Sequence, residues 1–112
     1  MSVPSVSRHN SLLRALPAAE WARWEPQLEW VDLELGQVIY ESDRTLSHVY
    51  FPTSSIVSLL YVMQNGASAE IAVVGFEGLV GISLFMGGGS TPSRAVVQSA
   101  GRGCRAPAAF VQ

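Results

Sequence analysis

Apolar and polar residues alternate along this chain with two different periods, and the change from one to the other falls near Trp30. Before it the spacing is helical. Asn10 or Ser11 can cap a first short helix whose Leu12, Leu13 and Leu16 share one face. Pro17 suits the first turn of a second helix, where a missing N–H removes no hydrogen bond. That helix is predicted over residues 18–25, with Trp21 and Trp24 on one side, and Pro26 ends it. The two tryptophans read as packing residues that cover an apolar layer.

From Trp30 onward the period is two. Val31, Leu33 and Leu35 alternate with Asp32 and Glu34, and Gly36 closes the run. Short strands are predicted over residues 37–41 and 48–51, with a polar loop over 42–47 between them. Residues 56–64 and 67–74 flank Asn65-Gly66, the pair that predicts a hairpin with a type I′ turn. Gly75 and Gly78 then interrupt the pattern. Residues 79–86 form an apolar piece that fits either a strand or one to two helical turns. After Gly87-Gly88-Gly89 two more strands are predicted, over 93–99 and 103–110, joined at Ala100-Gly101-Arg102. Two helices followed by about eight short strands predict a mainly β chain, an antiparallel β-roll or jelly roll with an N-terminal helical pair. Residues 1–9 read as a disordered lead-in and residues 10–112 as one domain.

Composition narrows the chemistry. With 112 residues, 48% of them hydrophobic, the chain can bury one core. A net charge of −2, with seven Lys plus Arg spread along the chain, leaves no basic stripe for nucleic acid. The single cysteine, Cys104, excludes an internal disulfide and a thiolate set for zinc or iron–sulfur, and reads as a small packing residue. The longest apolar run is too short to span a bilayer and no signal peptide is visible, so a cytoplasmic protein is expected. His9 and His48 are separated and no HxH, HxxxH or ExxH grouping occurs, so neither metal nor heme ligation is expected. Ser83 and Ser93 have no base partner by pattern, Gly87 to Gly89 lack the Gly-Lys-Ser/Thr of a phosphate loop, and Glu77 reads as a solvent-facing turn residue. The expectation is a protein that is not an enzyme and carries no cofactor.

The order of elements is carried by Leu35-Gly-Gln-Val-Ile-Tyr-Glu41, His48-Val-Tyr-Phe-Pro-Thr-Ser-Ser-Ile-Val-Ser-Leu59, the hairpin, and Val74-Gly-Phe-Glu-Gly-Leu-Val-Gly81. Over residues 10–110 it resembles the cyclic-nucleotide-binding domain of the Crp/Fnr transcription regulators and their eukaryotic relatives. The resemblance implies a short helical cassette whose backbone N–H groups face a cyclic phosphate. It also implies a Glu that binds the ribose hydroxyl and an Arg beyond a loop that pairs with the phosphate. The matching positions are Gly78, Gly81, Ile82 and Ser83 in the cassette and Ser93, Arg94 and Ala95 in the arginine region. These are the candidate ligand-binding residues, and they depart from the family twice. Ile82 stands where the family has Glu, and an alkyl group cannot accept from a hydroxyl. Ser93-Arg94-Ala95 stands where the family has Arg-Ser-Ala, and a one-residue offset on a strand turns a side chain to the opposite face. Ser55, at a strand-entry turn where the family usually has Gly, is expected not to need a positive φ.

The resemblance thus implies a sensory domain with degenerate cyclic-nucleotide binding and an unidentified small-molecule effector. In the parent regulator it would sit in a homodimer that reaches DNA through a C-terminal helix-turn-helix absent from these residues, with no membrane partner. A ligand-free protein-interaction module on the same fold is the alternative, and a cupin-like metalloenzyme is a third reading.

Overall fold

The computed structural model describes residues 9–84 and 92–111. The predicted lead-in, apart from His9, the triple glycine and residues 85 and 86 of the apolar piece lie outside the described residues. Seven strands form among those described: β1 (Glu29–Leu33), β2 (Val38–Tyr40), β3 (His48–Pro52), β4 (Ile56–Val62), β5 (Ser68–Val74), β6 (Ser93–Ser99) and β7 (Gly101–Pro107). They make two antiparallel sheets, β1-β7-β3 and β2-β6-β4-β5. The last two strands therefore fill the middle of both sheets, and the chain steps from one sheet to the other across Ala100 alone.

That step needs glycine. A Cβ on Gly101 would stand 2.5 Å from the backbone carbonyl of Ser54, in the turn between β3 and β4. The Arg102 carbonyl accepts from the Thr53 and Ser54 amides at 2.9 and 3.1 Å, and the Arg102 N–H donates to Ser54 Oγ at 2.9 Å. The corner is thus held by backbone, with no space for a side chain at its centre.

Strand alternation divides the apolar residues between two layers. Val49, Phe51, Cys104 and Ala106 join Leu13, Leu28, Leu46 and Leu84 under the helices α1 (Ser11–Arg14) and α2 (Ala18–Trp24), with Trp21 and Trp24 packed against them. Trp24 meets Phe51 and Phe110 edge-on, with ring centroids 5.8 and 4.8 Å apart, and Cys104 is fully buried. Leu33, Tyr50, Val57, Val80, Ala95 and Val97 pack together in a second cluster between the sheets.

Several elements differ from expectation for local reasons. The first strand ends at Leu33, and Leu35 is 72% exposed in a turn completed by Gly36 at φ +82°. The last strand starts at Gly101 and stops at Pro107, well before Phe110. Residues Ala108–Val111 instead form the helical turn α3, begun by Ala108 N–H donating to Ser47 O at 2.9 Å. The β4–β5 hairpin is not type I′, because Asn65 keeps a negative φ and only Gly66 is left-handed, at +88°. Met63 N–H donates to Ala67 O, Gly66 N–H to Met63 O, and Ala67 N–H to Asn65 Oδ1, giving a three-residue loop closed by the glycine. Pro17 occupies the N-cap of α2 rather than its first turn, and Pro26 sits inside a 3-10 turn, Glu25–Gln27, that prolongs the helix. Val80 makes only an isolated bridge to Tyr50, and the apolar piece then becomes a 3-10 turn, Ile82–Leu84. Ser55 is free of positive φ, as expected.

Candidate functional site

The turn after β5 is made by Gly75 to Gly78, where Gly78 N–H donates to Gly75 O at 3.3 Å. Glu77 folds its carboxylate back onto Gly75 N–H at 3.0 and 3.1 Å, so it is a turn residue and not a free acid. Asn10 fastens this turn to the rest of the molecule. Its Nδ2 donates to Gly78 O and to Pro52 O, each at 2.8 Å, while its Oδ1 accepts from Leu12 and Leu13 N–H at 3.0 and 3.3 Å. Beside it, Ser11 N–H donates to Phe76 O at 2.7 Å. The cap is legible from the sequence. The two long-range bonds are not, because nothing local marks Pro52 and Gly78 as neighbours.

Val80 then exchanges backbone bonds with Tyr50 at 2.8 and 2.9 Å. Gly81 follows at φ +107°, where a Cβ would stand 3.3 Å from the His48 carbonyl and from Leu46 and 3.4 Å from the Val49 Cα, and this conformation favours glycine. Leu84 anchors the short 3-10 turn in the core, Ile82 is 57% exposed, and Ser83 Oγ is buried with no hydrogen-bond partner. Gly78, Gly81, Ile82 and Ser83 therefore lie on one continuous segment, from the turn after β5 to the 3-10 turn.

The register of β6 on β4 decides the arginine region. Ser93, Arg94 and Ala95 stand opposite Tyr61, Leu60 and Leu59. Ala95 belongs to the core between the sheets, and Ser93, two residues away, shares its face and is buried. Arg94 is on the other face, paired with Glu41 through Nε–Oε1 at 3.2 Å. Ser93 shares a hydrogen bond with the Tyr40 hydroxyl. Burial raises the Tyr40 phenol above its ordinary pKa, and the Ser93 bond partly opposes that. The cassette and the inner positions Ser93 and Ala95 are thus presented by the roll, whereas Arg94 is not brought to them.

One inward-facing charge was missed in the sequence. Arg105 stands between Glu29 and Tyr50 across the first sheet, and Tyr50 belongs to the layer between the sheets. Its Nε donates to Glu29 Oε1 at 2.6 Å and its Nη1 to the Tyr50 hydroxyl at 3.3 Å. The His48 ring tilts against Tyr50, with centroids 6.2 Å apart, and its Nδ1 is 2.8 Å from Ser47 Oγ. The hydrogen bonds that Arg105 donates to Glu29 and Tyr50 raise its guanidinium pKa further. The Arg105 hydrogen bond and charge hold the Glu29 carboxyl below the usual carboxylate range. Burial, then the Arg105 charge, lowers His48, with Glu29 opposing. Strand pairing alone brings these residues together, so only a correct register could have found them.

Both depressed groups act on stability with one sign. The unfolded chain binds a proton at His48 and at Glu29 before the folded chain does, so stability falls as pH falls. The loss begins as pH drops below the ordinary His value and deepens through the carboxylate range. Thermal unfolding measured from pH 7 to pH 4 should show a falling Tm, and His48→Gln should flatten the upper part of that fall. A Tm unchanged over the whole range would contradict it.

Two surface depressions adjoin the site residues: one of about 360 Å³ between Ser54 and the turn at Gly75, Phe76 and Glu77, and one of about 640 Å³ along residues 38–47 that includes Tyr40 and Glu41. Among the described residues, no group of three or more His, Cys, Asp or Glu could hold a metal ion, and no helix is long and apolar enough to cross a membrane.

Neither a family model nor a curated protein matches the sequence. Solved structures match the shape. A Ruegeria pomeroyi protein assigned to cyclic nucleotide binding superposes with a TM-score of 0.79 at 18% identity, over 96% of this chain and 48% of that one. The N-terminal domain of a Streptomyces coelicolor transcriptional regulator gives 0.75 at 24% identity, over 96% of this chain and 76% of that one. The sensor domain of the transcriptional regulator DNR from Pseudomonas aeruginosa gives 0.77 at 13%, over 95% and 71%. The chain thus spans about half the length of the first of these structures. At such identities the likeness establishes architecture: the chain is a β-roll of the cyclic-nucleotide-binding-domain type, the fold found in the sensor domains of Crp/Fnr-type transcription regulators.

Proposed function

We propose that this chain is the sensory domain of a Crp/Fnr-type transcription regulator whose effector is not a cyclic nucleotide. The observation that carries the reading is a cassette kept in form but changed in chemistry. Its turn is fastened by Asn10 and its glycine is left-handed, yet Ser93 takes the inward position and Arg94 faces away. The fold shared with regulator sensor domains supports the regulatory half of the reading. In the parent protein, effector binding in the roll would bias a homodimer and so the spacing of two DNA-reading helices carried outside these residues.

Two measurements on the purified chain separate this reading from a nucleic-acid binder and from a metalloenzyme. Anisotropy titrations at physiological salt should show no sequence-selective, sub-micromolar DNA binding by these residues. Elemental analysis should show no stoichiometric metal. Either positive result would sink the proposal.

A further inference from the structure

We infer that the effector site includes an oxyanion subsite built on Arg105, in the three-stranded sheet between Glu29 and Tyr50, with Glu29 as its resident counter-ion in the absence of ligand. The inference rests on the reading of the roll interior as the effector site, and adds the chemical class of the effector: a small molecule bearing a carboxylate or phosphate.

Register supplies the direction. Arg105 lies between Glu29 and Tyr50, and Tyr50 is part of the layer between the sheets. Other ion pairs among the described residues hold their guanidiniums elsewhere: Arg23 with Glu20 on α2, Arg94 with Glu41 on the outer face of β6, and Arg102 with Asp32 beside Trp30. Tyr50 also bridges to Val80, the residue before Gly81, so Arg105 is one side chain removed from the cassette.

Chemistry supplies the specificity. A guanidinium presents several N–H groups in a rigid fork that matches a carboxylate or phosphate. Glu29 engages the Nε through one oxygen, and Tyr50 engages Nη1. Because Tyr50 accepts from Arg105, its own proton remains available to an incoming oxyanion. The Glu29 side chain is 58% exposed and that of Arg105 30%, so the pair opens to solvent on the glutamate side. Exposed ion pairs are weak, and a ligand oxyanion that also takes the Tyr50 proton can displace one.

The test uses the full chain, inorganic phosphate and succinate as probes, and calorimetry or NMR titration at low ionic strength. Glu29→Gln removes the resident carboxylate and should bind at least one of the two probes about tenfold more tightly than the native chain. The double variant Glu29→Gln/Arg105→Gln should lose that gain, and Glu29→Gln/Arg105→Lys should recover only part of it, because lysine keeps the charge without the fork. Thermal unfolding checks that each variant is folded. Should the Gln double variant not fold, the Lys variant and Tyr50→Phe in the Glu29→Gln background serve instead, each expected to weaken binding several-fold. Glu29→Gln binding neither probe more tightly than the native chain, or the gain surviving loss of Arg105, overturns the subsite. A cyclic AMP titration reads the earlier proposal independently: tight nucleotide binding would refute that proposal, while phosphate binding dependent on Arg105 would still establish the subsite.

Discussion

Cyclic AMP and cyclic GMP should bind this chain no better than weakly, in the millimolar range or not at all. Two recognition groups implied by the resemblance are missing from the inner surface. Ile82 offers an exposed alkyl group where a ribose-reading carboxylate would be needed. Arg94 points to the opposite face and is engaged by Glu41, while Ser93 occupies the inward position with its hydroxyl bonded to Tyr40. Each lost hydrogen bond to a charged group costs about 1.5–3 kcal/mol. Two of them weaken binding by roughly two to four decades, at about 1.4 kcal/mol per decade. Backbone N–H groups near Gly81 can retain a feeble grip on phosphate, so millimolar binding agrees with the prediction. Calorimetry returning a low micromolar dissociation constant for either nucleotide would refute it.

Asn10→Ala should cost about 3–5 kcal/mol of folding stability. Loss of a helix N-cap accounts for about 0.5–2 kcal/mol. The remainder comes from the Pro52 and Gly78 carbonyls, which lose their Asn10 donor at a position with no solvent exposure, at about 1–3 kcal/mol for each group left unpaired. Two replacements separate the parts. Asn10→Ser restores an acceptor for α1 but no donor to both carbonyls, so it should regain only the cap. Asn10→Asp should fare worse than its capping preference suggests, since a carboxylate would face two carbonyl oxygens. Urea unfolding is the measurement, and a loss below about 1 kcal/mol for the alanine variant would contradict the assignment of Asn10 as the fastening of the cassette turn.

The elements that could be read from sequence are those whose signal is local. Alternation located most of the strands, and Gly75 and Gly78 marked the end of one because each interrupts the pattern, while Gly81 was placed by the family resemblance. The burial of Cys104 and the packing of Trp21 and Trp24 followed from their spacing. Where two local rules competed, the reading failed. The β-rich pattern of residues 103–110 hid Pro107, which cannot donate to a ladder and hands the chain over to a helical turn. Asn65-Gly66 suggested the commoner two-residue turn, but the Asn65 side chain satisfies Ala67 N–H and holds a longer loop. The site divided in the same way. Gly75 and Gly78 were legible as punctuation, Gly81 came from the resemblance, and the outward turn of Arg94 followed from strand parity. Arg105, Glu29 and Tyr50 were invisible as a group, because the chain separates them and only the pairing of β7 with both of its neighbours brings them together.

The central position of β6 and β7 also governs when the molecule can be made. β1 and β3 do not touch each other as strands, and neither do β2 and β4; each pair is held apart until the strand that runs between them arrives. A nascent chain emerging from the ribosome can therefore close the β4–β5 hairpin, but it cannot complete the four-stranded sheet until Ser99, nor the three-stranded sheet until Pro107, is clear of the exit tunnel. Until then the apolar faces of four strands wait uncovered, and the bonds that finally cover them span long stretches of sequence, the circumstance in which folding is slow and chaperones are most needed. Ala100, the one-residue step between the two late strands, places the closure of one sheet directly after that of the other along the chain.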